Sequence, residues 1–312
     1  MSIIKKAISN PGKAFRELVI RLLKFCSPLF GDKTYIKLMY GIRMGRFPNF
    51  ENPHGFNEKL QWLKIHNRKD IYTTFVDKVK VKDYIAEVLG EKYLIPTLGV
   101  WDNPEEIDFD ALPEKFVIKC NHNSGLGMTI CTDKAKLNTK IVRKKLLKGL
   151  KENYFLYGRE WPYKNVERKI LAEQFMEESD PNTPFNVGGL TDYKFTCFNG
   201  RVTNVMVCIG RATGHTKFYF YDRMWNLLPL NKLGKATDPN FKVPCPEKID
   251  EMFAIAEKLS KGIPYLRVDL YYVQGKIYFG EMTFYPDSGW DPNLLPETDE
   301  EFGNLIDTSL VK

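Results

Sequence analysis

The sequence predicts an α+β fold in which antiparallel sheets follow a helical N-terminal region. Two patterns predict it. In residues 1–70 apolar side chains recur at helical spacing between proline breaks, whereas from about residue 114 runs of β-branched and aromatic residues are joined by short turns. Hairpin signals outnumber alternating strand–helix units, which favours antiparallel pairing. We therefore divide the chain into residues 1–70 and 71–312, with a smaller unit at about 114–172.

A chain of 312 residues with 43% hydrophobic residues can bury a large core. It has no run of about 18 apolar residues, so we predict no membrane-spanning helix. Its first residues lack the apolar core of a signal peptide. The six cysteines are scattered without a C-x-x-C pair, which is typical of buried thiols in a reducing compartment. We expect a cytoplasmic protein.

Residues 14–26 predict an amphipathic basic helix, because apolar residues recur at helical spacing among Arg16, Arg21 and Lys24. Such a helix either lies on the anionic inner face of a membrane or packs its apolar side on the rest of the protein. The sequence leaves both interpretations open. The net charge of +7 is modest, and we expect no nucleic-acid partner. The oligomeric state is not predicted.

Other elements follow in order along the chain. Helical spacing predicts helices at about 57–66 and 77–89, the second ending at Gly90, where glycine suits a left-handed cap. A short strand at 94–101 and an acidic turn-rich segment at 103–113 come next. The patterns then predict strands at 116–120, 129–131, 168–176, 193–198, 202–209 and 218–221, and helices at 138–153 and 246–261.

The segment most informative about function predicts a β-hairpin that begins at Arg267. If residues 274–276 form its loop, Asp269 lies opposite Glu281 and Arg267 opposite Thr283, all on one face. Facing carboxylates repel unless a cation lies between them, and oxygen ligands of this kind suit Mg²⁺ carrying nucleotide phosphates. A two-residue turn would place the carboxylates on opposite faces. An edge hairpin with solvated charges is the alternative.

A second candidate site is a lysine followed by a glycine-containing loop. Lys119 ends an apolar strand, and Ser124, Gly125 and Gly127 follow within a few residues. Glycines let backbone N–H groups approach a phosphate, and a lysine supplies the compensating charge. No G-x-x-x-x-G-K-[ST] motif is present, so this is not a P-loop. A hairpin with glycines in its turn is the simpler interpretation of this segment alone.

The strand at 168–176 leads from one unit of the chain towards the next. Free backbone groups on such a strand could bind the edge of an adenine, with Glu173 accepting from the exocyclic amine. Glu177 or Glu178 could then accept from ribose hydroxyls. A strand with an exposed acidic end explains the segment equally well.

Taken in order, these segments resemble those of the ATP-grasp superfamily. The first of them is Asp77-Lys78, at the start of a predicted helix. Several stretches are similar to its TupA-like branch, which is associated with bacterial surface polysaccharides. The resemblance covers roughly residues 35–305. The stretches are EWPY at 160–163, DYKF at 192–195, CFNG at 197–200, RVDLY at 267–271 and FGEMTFYP at 279–286.

The resemblance implies a bound ATP. Lys119 matches a position that contacts adenine and the α-phosphate, and the loop at 124–128 matches a lid over the β- and γ-phosphates. Glu173, Phe175 and Met176 match the adenine hinge. Lys78 is also expected to contact ATP. The unit at 114–172 would then be the lid of a catalytic region at 71–312.

The resemblance also implies Mg²⁺ held by Asp269 and Glu281. Thr283 stands where much of the superfamily has asparagine, and it is the third expected ligand. Arg267 matches the cation that holds the transferred phosphoryl group. Lys194 and Arg211 are further candidates for contact with phosphate or with a substrate carboxylate.

The reaction implied is ATP-dependent joining of a carboxylate to an amine through an acyl phosphate. The partners would be ATP, a carboxylated sugar or glycan and an amine, in surface or capsular polysaccharide synthesis. The loop at 285–290 should face the acceptor, with Tyr285 or Trp290 stacking on a sugar and Ser288 bonding its carboxylate. The alternatives are a glycosyltransferase using Asp108-Phe109-Asp110, a glycan kinase and a nonenzymatic scaffold.

Overall fold

The computed structural model describes residues 11–177, 190–210 and 214–311, and it confirms the predicted α+β class. Its helices within these ranges are α1 (Pro11–Phe25), α2 (Asp32–Met44), α3 (Phe56–His66), α4 (Ile71–Val76), α5 (Val81–Val88), α6 (Thr139–Leu150), α7 (Tyr154–Gly158), α8 (Lys232–Ala236), α9 (Ile249–Ser260) and α10 (Pro296–Leu305).

Its strands form two sheets, and every strand pair is antiparallel, as predicted. The smaller sheet has the order β1-β4-β2-β3 and the larger β10-β9-β5-β6-β7-β8. The strands are β1 (Thr97–Trp101), β2 (Phe116–Cys120), β3 (Thr129–Cys131), β4 (Ile170–Gln174), β5 (Asp192–Phe198), β6 (Arg201–Ile209), β7 (Lys217–Tyr221), β8 (Leu227–Leu228), β9 (Tyr265–Val273) and β10 (Lys276–Thr283).

The predicted helix at 77–89 begins later than expected, at Val81. The cause is Asp77, whose carboxylate accepts hydrogen bonds from the backbone N–H groups of Val79 at 2.9 Å and Lys80 at 3.3 Å. Asp77 also accepts 2.8 Å from the amide of Asn121, which follows β2. A side chain that bonds its own backbone nearby favours a turn over a continuing helix. The start of α5 is thereby fixed to the smaller sheet.

The larger sheet separates a packed face from the face that carries the candidate site. Phe195 and Val268 are fully buried on the packed face, where the ring of Phe195 meets that of Phe253 in α9 at 5.2 Å. Because strand side chains alternate, Lys194 and Asp269 point to the other face. They lie directly opposite each other across β5 and β9.

The smaller sheet has the same two-sided character. Phe116, Ile118 and Ala172 pack on α6 in a separate apolar cluster. The alternation therefore places Lys119 and Glu173 together on the opposite face. Cys120 and Cys131 are buried in strands of this sheet, as expected of thiols in apolar segments. The boundaries at residue 70 and at 114–172 stay predictions, and this sheet also includes β1, which precedes residue 114.

The N-terminal helices form a third apolar cluster with the loop after β10. Ile20 and Leu23 of α1 pack with Tyr35 and Met39 of α2 and with the distant Trp290. Helices α1 and α2 are thereby tied to the segment that follows the candidate metal strand. None of the described helices combines the length and the apolar character needed to span a bilayer.

Candidate active site

The β9–β10 hairpin has the predicted pairing but reaches it by a different route. Its loop is a two-residue turn of Gln274 and Gly275, which have φ of 51° and 74°, and not the three-residue loop expected. Positive φ at both positions is the type I′ geometry that fits the twist of a hairpin. The register then shifts at Gly280, where β10 carries one extra residue.

This β-bulge corrects the parity that the two-residue turn would otherwise break. Glu281 pairs with Asp269 and Thr283 with Arg267, so all four side chains share one face. A side chain at Gly280 would bring its Cβ within 2.9 Å of the carbonyl oxygen of Asp269. Glycine is therefore required where the two carboxylate-bearing strands approach.

A cavity of about 670 Å³ opens above this face. It lies between the larger sheet, the loop after β2, α7, the loop after β10 and the C-terminal end of α2. The predicted site residues that line it are Lys78, Ser124, Lys194, Arg267, Glu281 and Thr283. Four other predicted residues lie outside this cavity, on the smaller sheet or just after β4: Lys119, Glu173, Phe175 and Met176.

Asp269 is the buried centre of the charged cluster. Arg267 donates to both of its oxygens, from Nε at 2.7 Å and from Nη2 at 2.9 Å, and Lys194 donates to the same carboxylate. Lys194 also pairs with Asp192 at 3.5 Å. Burial alone would raise the pKa of Asp269, but the charges of Arg267 and Lys194 outweigh it and lower the pKa. The carboxylate is therefore ionised.

Arg267 is also the cation between the two facing carboxylates, a role that the sequence argument considered only for a metal. Its Nη2 lies 3.3 Å from Glu281 Oε1 and 3.1 Å from the hydroxyl oxygen of Thr283. The Glu281 side chain is 40% exposed, and its Oε2 lies 4.0 Å from Nζ of Lys78. Glu281 is thus the carboxylate that faces the open cavity.

The residues present fit Mg²⁺ only together with substrate phosphates. About three of the roughly four acceptor positions of Asp269 are occupied by Arg267 and Lys194. Glu281 presents Oε2 to the cavity near Lys78, and Thr283 adds a hydroxyl. No group of three or more acidic, histidine or cysteine side chains forms a complete metal site among the described residues. Mg²⁺ commonly takes one or two carboxylates and fills its shell with water and phosphate oxygens.

Glu173 lies at the centre of a second charged cluster on the smaller sheet. Its two oxygens pair with Lys119 at 2.5 Å and with Lys82 at 2.6 Å, and its side chain is 8% exposed. Burial would raise the pKa of Glu173, but the two lysines lower it, so the carboxylate is charged. Glu173 is thereby held beside Lys119, while Phe175 and Met176 follow half-buried after β4.

Lys78 connects the two clusters. Its Nζ donates 3.0 Å to the backbone carbonyl of Asn123 in the glycine loop and lies near Glu281. Burial lowers the pKa of Lys78, the charge of Glu281 opposes this, and Lys119 adds to it. Lys78 and Lys82 are four residues apart, a spacing that puts both on one side of the segment around α5. That spacing was the available sequence signal for Lys82.

Both glycines of the loop have positive φ, 93° at Gly125 and 92° at Gly127, a conformation that favours glycine. The two glycines differ in their surroundings. A Cβ at Gly127 would lie 3.1 Å from the carbonyl oxygen of Lys145 in α6, whereas a Cβ at Gly125 would meet open space. Gly127 therefore docks the loop on α6, and Gly125 lies in its open part beside Ser124.

We predict that Gly127→Ala costs more stability than Gly125→Ala. Both place a side chain at positive φ, which costs about 1–2 kcal/mol, but only Gly127→Ala also pushes the loop off α6. The free energy of unfolding in urea measures the difference, with Gly125→Ala as the matched control. Equal losses in the two variants would show that the contact with α6 contributes nothing.

The remaining wall of the cavity is formed by aromatic side chains in a row, and of these only Trp290 was singled out from the sequence for stacking. Three tyrosines, Tyr154, Tyr157 and Tyr163, form an aromatic row, with ring centroids 6.3 Å apart between Tyr154 and Tyr157 and 4.7 Å apart between Tyr154 and Tyr163. The row continues to Trp290, 6.5 Å from Tyr157. Tyr154, Tyr157 and Tyr163 lie close together in the chain, and Trp290, which was expected beside the acceptor, comes from a distant segment.

The loop after β10 does face the cavity, as expected, but its hydroxyl is already engaged. Ser288 donates 2.6 Å to Oε1 of Glu160, which is 2% exposed. The loop carbonyl of Ser288 accepts from Lys64 at 2.7 Å and from Gln61 at 3.1 Å. Burial raises the pKa of Glu160 and lowers that of Lys64, while the charge of each opposes the shift of the other. Asp287 and Ser288 keep positive φ within this frame.

Other predicted residues lie away from the cavity or outside the described residues. Asp108 accepts 2.9 Å from the backbone N–H of Asp110, and so stabilises a turn. Neither aspartate lines the cavity. Arg211 and Glu178 lie outside the described residues.

A model of the TupA-like ATP-grasp family matches residues 58–307. The chain belongs to this family. This TupA-like ATP-grasp protein has the ATP-grasp fold that its sequence predicts. Its membership of the family identifies it as an ATP-dependent ligase. Helices α1 and α2, including Arg43, precede the matched residues. No curated protein matches the chain.

The solved structures similar to this chain include two D-alanine–D-alanine ligases. D-alanine–D-alanine ligase from Helicobacter pylori is 14% identical, with 81% of this chain and 71% of that chain covered and a TM-score of 0.44. The ATP complex of D-alanine–D-alanine ligase from Bacillus anthracis is 15% identical, with 83% and 66% covered and a TM-score of 0.42.

Proposed function

We propose that this ligase joins the carboxylate of a uronic-acid sugar or glycan to an amine, such as that of an amino acid, in bacterial surface or capsular polysaccharide synthesis. The observation that carries the proposal is a single cavity with charged residues at one end and an aromatic row beside it. Arg267, Lys194, Lys78 and Glu281 suit phosphoryl transfer, and Tyr154 and its neighbours suit a sugar ring.

The chemistry requires activation because the negative charge of a carboxylate repels a nucleophile. In the proposed reaction a carboxylate oxygen attacks the γ-phosphorus of ATP, the bond to the β-phosphate oxygen breaks, and ADP leaves. The amine then attacks the acyl carbon, inorganic phosphate departs and the amine loses a proton. Arg267 and Lys78 neutralise the charge on the transferred group, so positioning and electrostatics carry the phosphoryl step.

Mg²⁺ belongs to this proposal, with Glu281 and Asp269 as the residues that would hold it and Thr283 as a weaker ligand. When bound, the ion would neutralise phosphate charge. Asp269 keeps Arg267 and Lys194 in place, because both cations bond its carboxylate. Lys119, Lys82 and Glu173 would bind the nucleotide from the smaller sheet, with Phe175 and Met176 beside the adenine.

The proposal is tested by incubation with ATP, Mg²⁺, a uronic-acid oligosaccharide and a mixture of amino acids. We expect ADP and inorganic phosphate to form only when both acceptors are present, together with a product of their summed mass less one water. Phosphate retained on the oligosaccharide would instead establish the glycan kinase. ADP formation without any dependence on a carboxylate would contradict the proposal.

We also propose that the protein binds the cytoplasmic face of an anionic membrane through α1. A row of apolar side chains on α1 and just after it points to solvent, between 62% and 84% exposed: Phe15, Leu18, Leu22, Phe25 and Leu29. Ile20 and Leu23 pack on α2, so the row is additional to the packed side of the helix. Exposed Arg16 and Arg21 complement anionic headgroups.

We predict that the protein sediments with phosphatidylcholine vesicles that contain phosphatidylglycerol, and less with phosphatidylcholine alone. Leu18→Ser with Leu22→Ser should weaken this binding at least tenfold, because each buried leucine contributes about 1.5–3 kcal/mol. Met224→Ser, at an 80% exposed apolar position elsewhere, is the matched control. Equal vesicle binding by the double variant would exclude α1 as the membrane-binding element. If sedimentation instead shows dimers of the wild type that the double variant does not form, a second copy of the chain covers the row.

A further inference from the structure

Arg43 is a residue of the N-terminal helices that lines the cavity. It lies near the end of α2, just before Gly45, whose φ of 75° ends the helix in the left-handed conformation. Arg43 lines the cavity together with Tyr157 and Trp290. Its guanidinium carbon is 5.3 Å from the Trp290 ring centroid, and its Nη2 is 3.4 Å from the Tyr157 hydroxyl.

No ion pair of Arg43 is found among residues 11–177, 190–210 and 214–311. Its Nε is buried without a hydrogen-bond acceptor, and so is Nε1 of Trp290, which is only 3% exposed. Arg43 is half-buried, and a partly desolvated cation is normally paired with an anion. Aromatic contacts hold this guanidinium in place beside the open cavity.

The other charges at this end do not supply the missing anion. Lys24 lies over the Tyr157 ring at 3.6 Å, and Lys64 lies over the Trp290 ring at 4.4 Å, so Arg43 has two cationic neighbours. Glu160 accepts from Ser288 and interacts with Lys64. Glu152 and Asp287 also line the cavity, but neither forms an ion pair with Arg43. Among the described residues, the guanidinium of Arg43 therefore has no direct anionic partner.

The aromatic row lies between the Arg43 end of the cavity and the phosphoryl-transfer end. Burial is the largest cause that raises the pKa of Tyr154 and of Tyr163, and the charges of Glu160 and then Glu281 add smaller increases in both. Two ring-to-ring steps of 4.7 Å and 6.3 Å lead from Tyr163 through Tyr154 to Tyr157, beside Arg43. An anion at Arg43 is therefore not the carboxylate that reacts at Arg267.

We propose that Arg43 forms a specificity subsite for a second anionic group of the acceptor, at the end of the cavity opposite Asp269 and Glu281. This inference rests on the proposed function and specifies its substrate class: an acceptor with a second anionic group besides the carboxylate that reacts. The second group is a carboxylate of an adjoining sugar unit or a phosphate ester. Both offer the oxygens that a guanidinium binds in a bidentate manner.

The test compares three probes by calorimetry on protein saturated with Mg²⁺ and a nonhydrolysable ATP analogue: digalacturonate, glucuronic acid 1-phosphate and methyl glucuronide, which has one anionic group. Wild type should bind at least one two-anion probe about tenfold more tightly than methyl glucuronide, the effect of one charge-assisted hydrogen bond. Arg43→Gln should remove that difference and leave methyl glucuronide binding unchanged. Arg43→Lys should retain part of it.

Lys37→Gln is the matched control, because it removes one charge from the exposed side of the same helix. Loss confined to digalacturonate would identify a carboxylate, and loss confined to glucuronic acid 1-phosphate would identify a phosphate ester. Arg43→Gln binding both two-anion probes as tightly as wild type would overturn the inference, as would wild type showing no preference for them. Failure of the proposed function would be seen separately: the wild type would then bind neither methyl glucuronide nor the nucleotide analogue.

Discussion

Asp269→Asn is expected to lower turnover roughly 10³-fold, the loss seen when a preorganised electrostatic contact is removed from an active site. Asparagine keeps the shape of the side chain but cannot neutralise the two cations that bond Asp269. Arg267 and Lys194 would then repel each other and leave the positions in which they meet the phosphates. Initial rates of ADP formation at saturating ATP measure the effect.

Loss of activity in Asp269→Asn could also reflect unfolding, since removing one partner of a buried ion pair costs about 3–5 kcal/mol. Glu281→Gln separates the two effects, because Glu281 is 40% exposed and its replacement should leave the thermal midpoint nearly unchanged. We expect Glu281→Gln to be equally inactive. Glu300→Gln, at an exposed position of α10, is the control. Full activity in Glu281→Gln would remove it from the site.

Lys119→Ala is expected to weaken ATP binding roughly thirtyfold, which corresponds to about 2 kcal/mol for one charged hydrogen bond. The buried Glu173 keeps its second partner, Lys82, so the smaller sheet should remain folded. Nucleotide affinity is measured by calorimetry with a nonhydrolysable ATP analogue.

Lys115→Ala provides the matched control, because Lys115 lies just before the same strand but is exposed and pairs with exposed Glu177. Its variant should bind the nucleotide as wild type does. An unchanged affinity in Lys119→Ala would mean that Glu173 and Lys119 form a structural pair and that the nucleotide binds elsewhere.

The sequence predicted those parts of the molecule that depend on local pattern. Alternation placed Arg267 and Asp269 on one face of β9, because this property follows from residues close in the chain. The route of the hairpin could not be predicted in the same way. A two-residue turn and a bulge at Gly280 compensate each other, and a pattern of alternating residues reports only their sum.

The end of the cavity at Arg43 depends on contacts between distant segments. Arg43, Tyr157 and Trp290 meet only because α2 packs against the loop after β10, and no spacing in the sequence records that contact. Lys64 illustrates the same limit. It is a fully buried lysine on α3 whose partner, the carbonyl of Ser288, lies 224 residues away.

The most direct test of the account follows an oxygen atom from the carboxylate. A uronic-acid oligosaccharide labelled with ¹⁸O in its carboxylates is incubated with ATP, Mg²⁺, an amino acid and the protein, and the released phosphate is analysed by mass spectrometry. The account predicts one ¹⁸O atom in each phosphate, because an acyl phosphate leaves its bridging oxygen on phosphorus when the amine attacks. Unlabelled phosphate, or phosphate that stays on the glycan, would contradict it.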